Sequence, residues 1–373
     1  MLDNTLITPT NWDLALIDAL KPLRPVYMYG SLPTERTMRS VLSLPAVSEE
    51  RVIENVQRAA EAGIRCLYVM NATCLGNAEM SEEGRFEILQ RLQWVSDAGF
   101  AGVTVANPLV MEIARSQFPN LELQVSLLAG VDGPRKARFF ADLGATVIHL
   151  DPIVSRDFRR IRAIRHAVDC KLSLVVNEGC LLECPMRAYH SNVVSHSLQS
   201  ITGGYHADYC TYRCASARLA DSAELLRMPW VRPEDTDVYR EAGIDLFKIA
   251  GREKMGGGAG ESHTAWIVRV ARAYHRQRCD DLASLLVGMD AVQPLLGERV
   301  PGPTISIDSR RLDGFLDYFH QGHCDFDCSR CSYCERWAEA AVGVKGADDS
   351  YGRFLDESLK AIRIGSYWTG SPR

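Results

Sequence analysis

Short apolar runs alternate with longer amphipathic segments along most of this chain. The runs are bounded by glycine or polar residues and are typical of buried β-strands, whereas the segments between them are typical of helices. We predict seven strands in this way, over 25–30, 64–70, 102–106, 121–128, 146–150, 171–176 and 244–250. An eighth strand is predicted between Cys214 and Trp230, where the pattern requires one more repeat.

The amphipathic segments carry residues that are typical of helix termini. Ser48 precedes a helical segment in which Glu49 and Glu50 occupy the first turn, where the helix dipole favours negative charge, and Gly63 ends it. Further helices are predicted over 81–98, 109–117, 133–143, 156–168, 232–242 and 262–278.

Strict alternation of strands and helices with short connections predicts a parallel sheet. About eight such units fit a (β/α)8 barrel of the TIM type better than an open, doubly wound sheet. No strand is followed by the G-x-G-x-x-G sequence of dinucleotide-binding folds. We therefore predict a barrel over residues 1–280 and a cysteine-rich C-terminal extension over 281–373.

Active sites of such barrels lie at the carboxyl ends of the strands. Polar and sulfur-bearing residues are concentrated at these ends in the sequence. They are Asn71, Cys74, Asn77, Glu79, Asn107, Asp151, Asn177, Glu178, Cys180, Lys248 and Arg252. The functional site is expected there.

Composition and charge exclude several classes of protein. Net charge is −5 with a pI near 6.0, which gives no electrostatic argument for a nucleic-acid binder. The five arginines of 156–165 are interpreted as a solvated helix face. No apolar run is long enough to span a membrane, and the first residues do not resemble a signal peptide, so a cytoplasmic location is predicted. Twelve cysteines in a reducing compartment indicate metal, cluster or redox chemistry rather than disulfides.

The strand over 171–176 leads directly into a cysteine-rich stretch. It contains two C-x-x-x-C pairs, Cys180/Cys184 and Cys210/Cys214. Four thiolates can hold either a zinc ion or an iron–sulfur cluster, and the three-residue spacing favours a 4Fe-4S cluster over the C-x-x-C pairs of zinc sites. Cys74, which follows another strand, could replace one of the four.

A second group of cysteines lies in the extension, at Cys324, Cys328, Cys331 and Cys334. Its C-x-x-C-x-x-C segment resembles a ferredoxin-type ligand run. A second 4Fe-4S cluster and a structural zinc ion are both compatible with this spacing. The first three cysteines also have the radical-SAM spacing, although that motif normally follows the first barrel strand. Cys66, Cys170 and Cys279 are interpreted as packing residues.

Other residues near the first cysteine group have candidate chemical roles. Glu178 could be a general acid or base or make a supporting hydrogen bond. His190, His196 and His206 could each bind a metal, transfer protons or hydrogen-bond to the backbone. Lys248 and Arg252 could bind a substrate carboxylate or form a structural ion pair.

The stretch NEGCLLECPMRAYH, followed downstream by GIDLFKIAGR, resembles the peptidase U-32 family of collagenase-like proteins. The resemblance covers Pro25 to about Cys279. It implies an activity other than the proteolysis that the family name suggests. Members similar to the ubiquinone-biosynthesis pair carry a 4Fe-4S cluster and take part in dioxygen-independent hydroxylation, with prephenate as the proposed oxygen source. Other members hydroxylate RNA bases. By this resemblance Cys180, Cys184, Cys210 and Cys214 are the cluster ligands. The three-residue spacings and the extension depart from those hydroxylases.

The resulting hypothesis is an iron–sulfur enzyme that hydroxylates, or otherwise redox-modifies, a small organic substrate without dioxygen. Lys248 or Arg252 would hold an acidic oxygen donor, and Glu178 or His190 would handle protons. A sister subunit of the same family or an electron donor is the expected partner. The alternatives are an RNA base hydroxylase, a zinc-dependent peptidase and a non-catalytic subunit that carries clusters.

Overall fold

The structure is a computed structural model that describes residues 1–37, 46–196, 209–252, 260–289, 292, 300–346 and 349–365. Eight parallel strands close a barrel in chain order. They are β1 (Leu6–Pro9), β2 (Tyr27–Gly30), β3 (Arg65–Met70), β4 (Gly102–Val105), β5 (Glu122–Val125), β6 (Val147–His149), β7 (Lys171–Val175) and β8 (Leu246–Lys248). The predicted (β/α)8 barrel is confirmed.

One helix follows each of the first six strands. These are α1 (Leu14–Leu20), α2 (Glu49–Glu61), α3 (Glu82–Asp97), α4 (Pro108–Gln117), α5 (Pro134–Asp142) and α6 (Phe158–Arg165). The connection from β7 to β8 carries α7 (Arg187–Ser195), α8 (Tyr209–Ala220), α9 (Glu224–Arg227) and α10 (Thr236–Glu241), and α11 (His263–His275) follows β8. Ser48 caps α2 as predicted, since its hydroxyl accepts a hydrogen bond from the Arg51 amide.

The position predicted for the eighth strand was wrong. The stretch between Cys214 and Trp230 contains the end of α8 and the whole of α9, whereas the missing strand is β1 at the start of the chain. β1 closes the barrel because Ile7 pairs with Tyr27 of β2 on one side and with Lys248 of β8 on the other.

Apolar packing occupies the space between the barrel and its helices and part of the barrel interior. The interior cluster consists of Ile7, Tyr27, Tyr29, Leu67, Val69, Val147 and Leu246. The rest of the interior is polar and buried, with Thr104, Gln124, His149, Ser173 and Lys248 on β4 to β8. Buried polar side chains therefore lie inside the barrel, directly beneath its mouth.

The C-terminal segment forms an antiparallel pair, β9 (Thr304–Ile307) with β10 (Val342–Lys345), and the helices α12 (Asp317–His320), α13 (Tyr333–Ala341) and α14 (Asp349–Ile364). Arg232 anchors this segment, since its guanidinium lies 2.8 Å from the Ser309 carbonyl oxygen and 2.6 Å from the Asp313 carboxylate. α14 packs on α8 through a small apolar cluster. The domain division at residue 280 stays a prediction.

One arginine of the 156–165 stretch does not belong to a solvated face. Arg156 is 2% exposed, and its guanidinium carbon lies 4.2 Å from the centroid of the Trp230 ring. The arginine is buried because the C-terminal segment covers this side of α6. Within the described ranges, no helix is both long and apolar enough to cross a bilayer.

Candidate functional site at the barrel mouth

Asn177 fixes the loop that leaves β7. Its fully buried side chain donates to the carbonyl oxygens of Ala250 (3.2 Å) and Leu285 (3.0 Å) and accepts a hydrogen bond from the Ala250 amide (2.7 Å). The end of β7 is thereby joined to the end of β8. This connection sets the position of Glu178 and Cys180, which follow in the chain.

Gly179 is required by a close approach between two backbone segments. A Cβ atom at this position would lie 2.0 Å from the Val287 carbonyl oxygen, so any side chain would force the segments apart. The Gly179 carbonyl oxygen accepts a hydrogen bond from Arg218 at 3.0 Å. The loop that presents Cys180 is therefore held from both sides.

Helix α8 presents one face to this loop. Cys210, Cys214 and Arg218 are spaced by four residues, so they share that face. Burial raises the pKa of the Cys180 thiol, and Glu178 and Cys214 add to the rise while Arg187 opposes it. Since Arg218 donates to the Gly179 carbonyl oxygen, the loop that carries Cys180 meets the face of α8 that carries Cys214, and the two thiols interact electrostatically.

Arg187 lies at the start of α7, next to the first cysteine pair. Its guanidinium is 3.4 Å from the Asp151 carboxylate, and Glu178, Cys180 and Cys184 all interact with its charge. Burial lowers the pKa of Arg187, but these negative partners outweigh it and raise the pKa overall. The cysteine loop is therefore a charged cluster in which two buried arginines, Arg187 and Arg218, face carboxylates and thiols.

The described side chains do not form a compact site for a single ion. No three His, Cys, Asp or Glu side chains in the described part of the chain are grouped closely enough to hold one metal ion. Cys184 lies next to Arg187, and Cys210 is buried one turn before Cys214. His190 is half-buried on α7, His196 is exposed at its end, and His206 lies outside the described residues.

Cys74 lies on the opposite side of α7 from the first cysteine pair. The loop after β3 contacts the last turn of α7, where the Thr73 amide donates to the Ser195 hydroxyl (3.0 Å) and the Thr73 hydroxyl donates to Asn192 (2.7 Å). The Cys74 sulfur accepts a hydrogen bond from the Gly76 amide at 3.4 Å. Cys180 and Cys184 precede the first turn of the same helix.

Lys248 and Arg252 form a buried cationic pair beside Tyr29. The Lys248 ammonium lies 4.3 Å from the centroid of the Tyr29 ring, and the Arg252 guanidinium donates to the Ser31 hydroxyl at 3.0 Å. Burial and the neighbouring Arg252 lower the pKa of Lys248 to about 7. Among the described residues, no carboxylate forms an ion pair with Lys248. The predicted structural ion pair is therefore absent for this lysine, and an anionic ligand would stabilise its charge.

His149 lies beneath this pair and was not identified from the sequence. Burial and the charge of Lys248 hold the pKa of His149 well below its usual value, so the ring is neutral, and it contacts the Gln124 side chain at 3.2 Å. Arg187, Arg218 and Tyr29 were also missed. Arg218 continues the four-residue spacing of Cys210 and Cys214, which was a usable signal. His149 and Tyr29 become recognisable only when the register of the barrel is known.

A separate cavity of about 450 Å³ opens beside the ends of β3 and β4. Its wall includes Glu35, Arg91, Trp94 and Asn107. Glu35 accepts a hydrogen bond from the Tyr68 hydroxyl at 2.9 Å and lies 3.2 Å from Arg91, while burial raises its pKa. Of the strand-end residues predicted from the sequence, Asn107 lines this cavity, and its side-chain amide donates a hydrogen bond to Glu79 at 3.0 Å.

The second cysteine group lies away from the mouth. Cys324, Cys328, Cys331 and Cys334 line one small cavity between α9, α12 and α13, together with Arg227 and several aromatic rings. The structure therefore places all four cysteines around one cavity. Their ligand stays a prediction.

Comparison with known proteins gives the chain its family. The model of peptidase family U32 matches residues 37–281. A protein of Methanocaldococcus jannaschii, named an uncharacterized protease, is 32% identical over 297 residues, which are 79% of this chain and 82% of that protein.

Two further relatives are more distant. The tRNA hydroxylation protein P1 of Bacillus subtilis is 24% identical over 257 residues, 66% of this chain and 58% of its own length. The solved structure of the U32 peptidase Mk0906 superposes with a TM-score of 0.51 at 24% identity, covering 67% of this chain and 93% of that one. The family match and the Methanocaldococcus relative together show that this chain belongs to peptidase family U32.

Proposed function

We propose that this protein is an iron–sulfur enzyme that hydroxylates an organic substrate without dioxygen. The observation that carries the proposal is the meeting of the β7 loop with one face of α8, which brings the Cys180 and Cys214 thiols together. Cys184 and Cys210 lie within the same two segments. Four soft sulfur donors from a loop and a helix are the donor set of a 4Fe-4S cluster.

The surroundings of the four sulfurs fit an anionic group. Arg187 and Arg218 are both mostly buried beside the thiols, and their positive charge would offset the negative charge of four thiolates. Cys180, Cys184, Cys210 and Cys214 would hold the cluster, and when bound it would supply one-electron redox chemistry. Protein side chains would bind the oxygen donor and transfer the proton.

Lys248 and Arg252 would bind the oxygen donor. They present two positive charges in a buried position, and Lys248 has no carboxylate partner among the described residues. A small organic carboxylate such as prephenate satisfies both charges. Binding it would also raise the pKa of Lys248, because the charged form would gain an opposite charge in a site of low polarity.

Glu178 is the residue best placed to move a proton. Its carboxylate accepts a hydrogen bond from the Cys180 thiol at 3.2 Å and interacts with Arg187. Hydroxylation replaces a C–H bond with a C–O bond, so the substrate carbon loses two electrons and a proton must leave. The two electrons pass to the donor when it transfers a neutral oxygen atom, or to an electron-carrying partner when it transfers hydroxide. A sister subunit or a redox protein would then be that partner.

A second candidate function is the hydroxylation of an RNA base. The observation that favours it is the likeness to a relative named for tRNA hydroxylation. The chemistry at the cysteines would be the same, and only the substrate would differ. The overall charge of −5 favours a small substrate or a partner that presents the RNA.

The test is an oxygen-transfer assay with protein purified under nitrogen. Prephenate labelled with heavy oxygen is incubated with the small-molecule fraction of an extract and, separately, with tRNA from a strain that lacks the gene. We expect labelled product in the small-molecule fraction with the native protein and none with Cys180→Ser. Label in tRNA nucleosides would establish the second candidate. Protein that contains zinc without iron and cleaves casein would overturn both and favour a peptidase.

A further inference from the structure

The C-terminal cysteine cavity is built by one short stretch of chain. The four cysteines Cys324, Cys328, Cys331 and Cys334 lie within a stretch of eleven residues, and all four line the same cavity. Each sulfur also lies close enough to others of the group to interact with them electrostatically. The four side chains do not converge on a single point that would suit one metal ion.

Two arginines bring positive charge to this cavity. Arg227 lines it and forms ion pairs with Asp221, Glu224 and Glu335. Arg156 acts on the Cys334 thiol together with Arg227. Arg156 is almost fully buried, its Nε has no hydrogen-bond partner, and within the described residues no carboxylate pairs with it. A buried guanidinium without a counter-ion is costly, so an anionic group nearby would stabilise it.

Aromatic rings and the two aspartates Asp325 and Asp327 form the remaining wall. Tyr318, Phe319 and Tyr333 line the cavity, and the Tyr318 and Tyr333 rings stack with centroids 4.1 Å apart. The Tyr318 hydroxyl lies 3.8 Å from the Cys331 sulfur, within hydrogen-bond distance for sulfur. Apolar rings and hydrogen bonds to cysteine sulfurs are the features by which proteins shield and tune iron–sulfur clusters.

We propose that Cys324, Cys328, Cys331 and Cys334 bind a 4Fe-4S cluster whose negative charge is offset by Arg156. A cubane is several ångströms wide, so its sulfur ligands surround a cavity, whereas zinc requires its four ligands to converge on one ion. The site lies outside residues 37–281, which match the family model, so it is an addition to the barrel enzyme. The inference does not depend on the function proposed for the barrel mouth.

Elemental analysis of paired variants tests the proposal. The native chain, Cys328→Ser/Cys331→Ser and Cys180→Ser/Cys214→Ser are purified under nitrogen, with Cys170→Ser as a control whose cysteine belongs to neither group. We expect the Cys180→Ser/Cys214→Ser protein to keep about four iron and four sulfide ions per chain, with the electron paramagnetic resonance of a reduced 4Fe-4S cluster. The Cys328→Ser/Cys331→Ser protein should lack that cluster, and Cys170→Ser should match the native chain.

Two results would overturn the proposal. One is iron content in Cys328→Ser/Cys331→Ser equal to that of the native chain. The other is about one zinc ion that is lost only from that variant. If only the cluster proposed at the barrel mouth were wrong, iron would be absent from the mouth and present at the C-terminal cysteines. That outcome is distinguishable from a failure of the present proposal.

A charge variant gives a second measurement if the cysteine variant does not fold. Removing a positive charge beside a cluster disfavours the reduced, more negative state. We expect Arg156→Met to lower the reduction potential of the C-terminal cluster in a redox titration and Arg156→Lys to keep it close to native. Equal potentials in the native protein and in Arg156→Met would contradict the proposed site.

Discussion

The two cysteine groups of this protein are assembled in different ways. At the C-terminus four cysteines lie within eleven residues and line one cavity, so local chain geometry gathers them. At the barrel mouth the four cysteines span residues 180 to 214 and come from a loop and a separate helix. They meet because Asn177 and Gly179 hold the β7 loop where α8 passes.

The charged surroundings of the two groups differ as well. The mouth combines two arginines with the carboxylates of Glu178 and Asp151, and it also carries the buried cations Lys248 and Arg252. The C-terminal cavity combines aromatic rings with Arg227 and with the carboxylates of Asp325 and Asp327, and its Cys328 is exposed. The proposed substrate-binding residues, Lys248 and Arg252, belong to the mouth. We therefore expect the two groups to respond differently to mutation.

The largest difference is expected in turnover. Cys214→Ser removes a proposed ligand at the mouth, so turnover should fall by more than the roughly 100-fold that an outer partner of a metal site is worth. Cys331→Ser should lower turnover less, because the cavity it belongs to holds no substrate-binding residue. Rates measured on anaerobically purified variants, normalised to folded protein, check this. Equal losses in both variants would mean that the C-terminal site also takes part in chemistry.

Asn177→Ala should destabilise the mouth more than any exposed amide variant. The change leaves the buried Ala250 amide and the Leu285 carbonyl without their side-chain partner, so the free energy of unfolding should fall by about 2–4 kcal/mol. Gln93→Ala, at an exposed amide on α3, is the matched control. Urea unfolding measures both. A small effect would show that the β7 loop is positioned by other contacts.

Lys248 should make stability depend on pH. Its pKa falls to about 7 in the folded protein, below its value in the unfolded chain, so the unfolded chain binds more protons between these two values. Stability should therefore rise with pH in this window, at up to about 1.4 kcal/mol per pH unit, and Lys248→Met should lack this contribution. His149, Arg252 and Tyr29 also face this lysine.

The difference between the native protein and Lys248→Met, measured by urea unfolding from pH 7 to 9.5, isolates the lysine. Burial raises the pKa of the Cys66 and Cys279 thiols to about 12, so both stay protonated in the folded protein over this range, and both are common to the two proteins. Identical slopes would show that Lys248 is already paired with a negative charge.

The smallest effect is expected at a cysteine outside both groups. Cys170 is half-buried beside the start of β7, and Cys170→Ser should change the free energy of unfolding by less than about 1 kcal/mol. Iron and sulfide per chain should match the native protein. A loss of iron in this variant would show that cluster binding is not confined to the two groups.

The barrel and the order of its elements from β2 to β7 could be predicted from the sequence, as could the two cysteine groups. The order after β7 was predicted wrongly, because a strand was expected where α8 and α9 lie. The alternation of apolar runs with capped helices is a local pattern, and so is a group of cysteines within eleven residues. Local patterns can be recognised in the sequence without knowledge of the fold. The wrong position of the eighth strand has the same origin, since β1 is recognised only through its pairing with β2 and β8.

The charges that face the two cysteine groups could be identified only from the tertiary structure. Arg156 was interpreted from the sequence as a solvated surface residue, but the C-terminal segment covers it. Arg187 is paired with Asp151, which lies on a different loop. Lys248 was predicted to bind a carboxylate or to form an ion pair, and the closed barrel buries it with no carboxylate partner among the described residues. Burial and the sign of neighbouring charges depend on contacts between distant segments, and these determine the chemistry of a side chain.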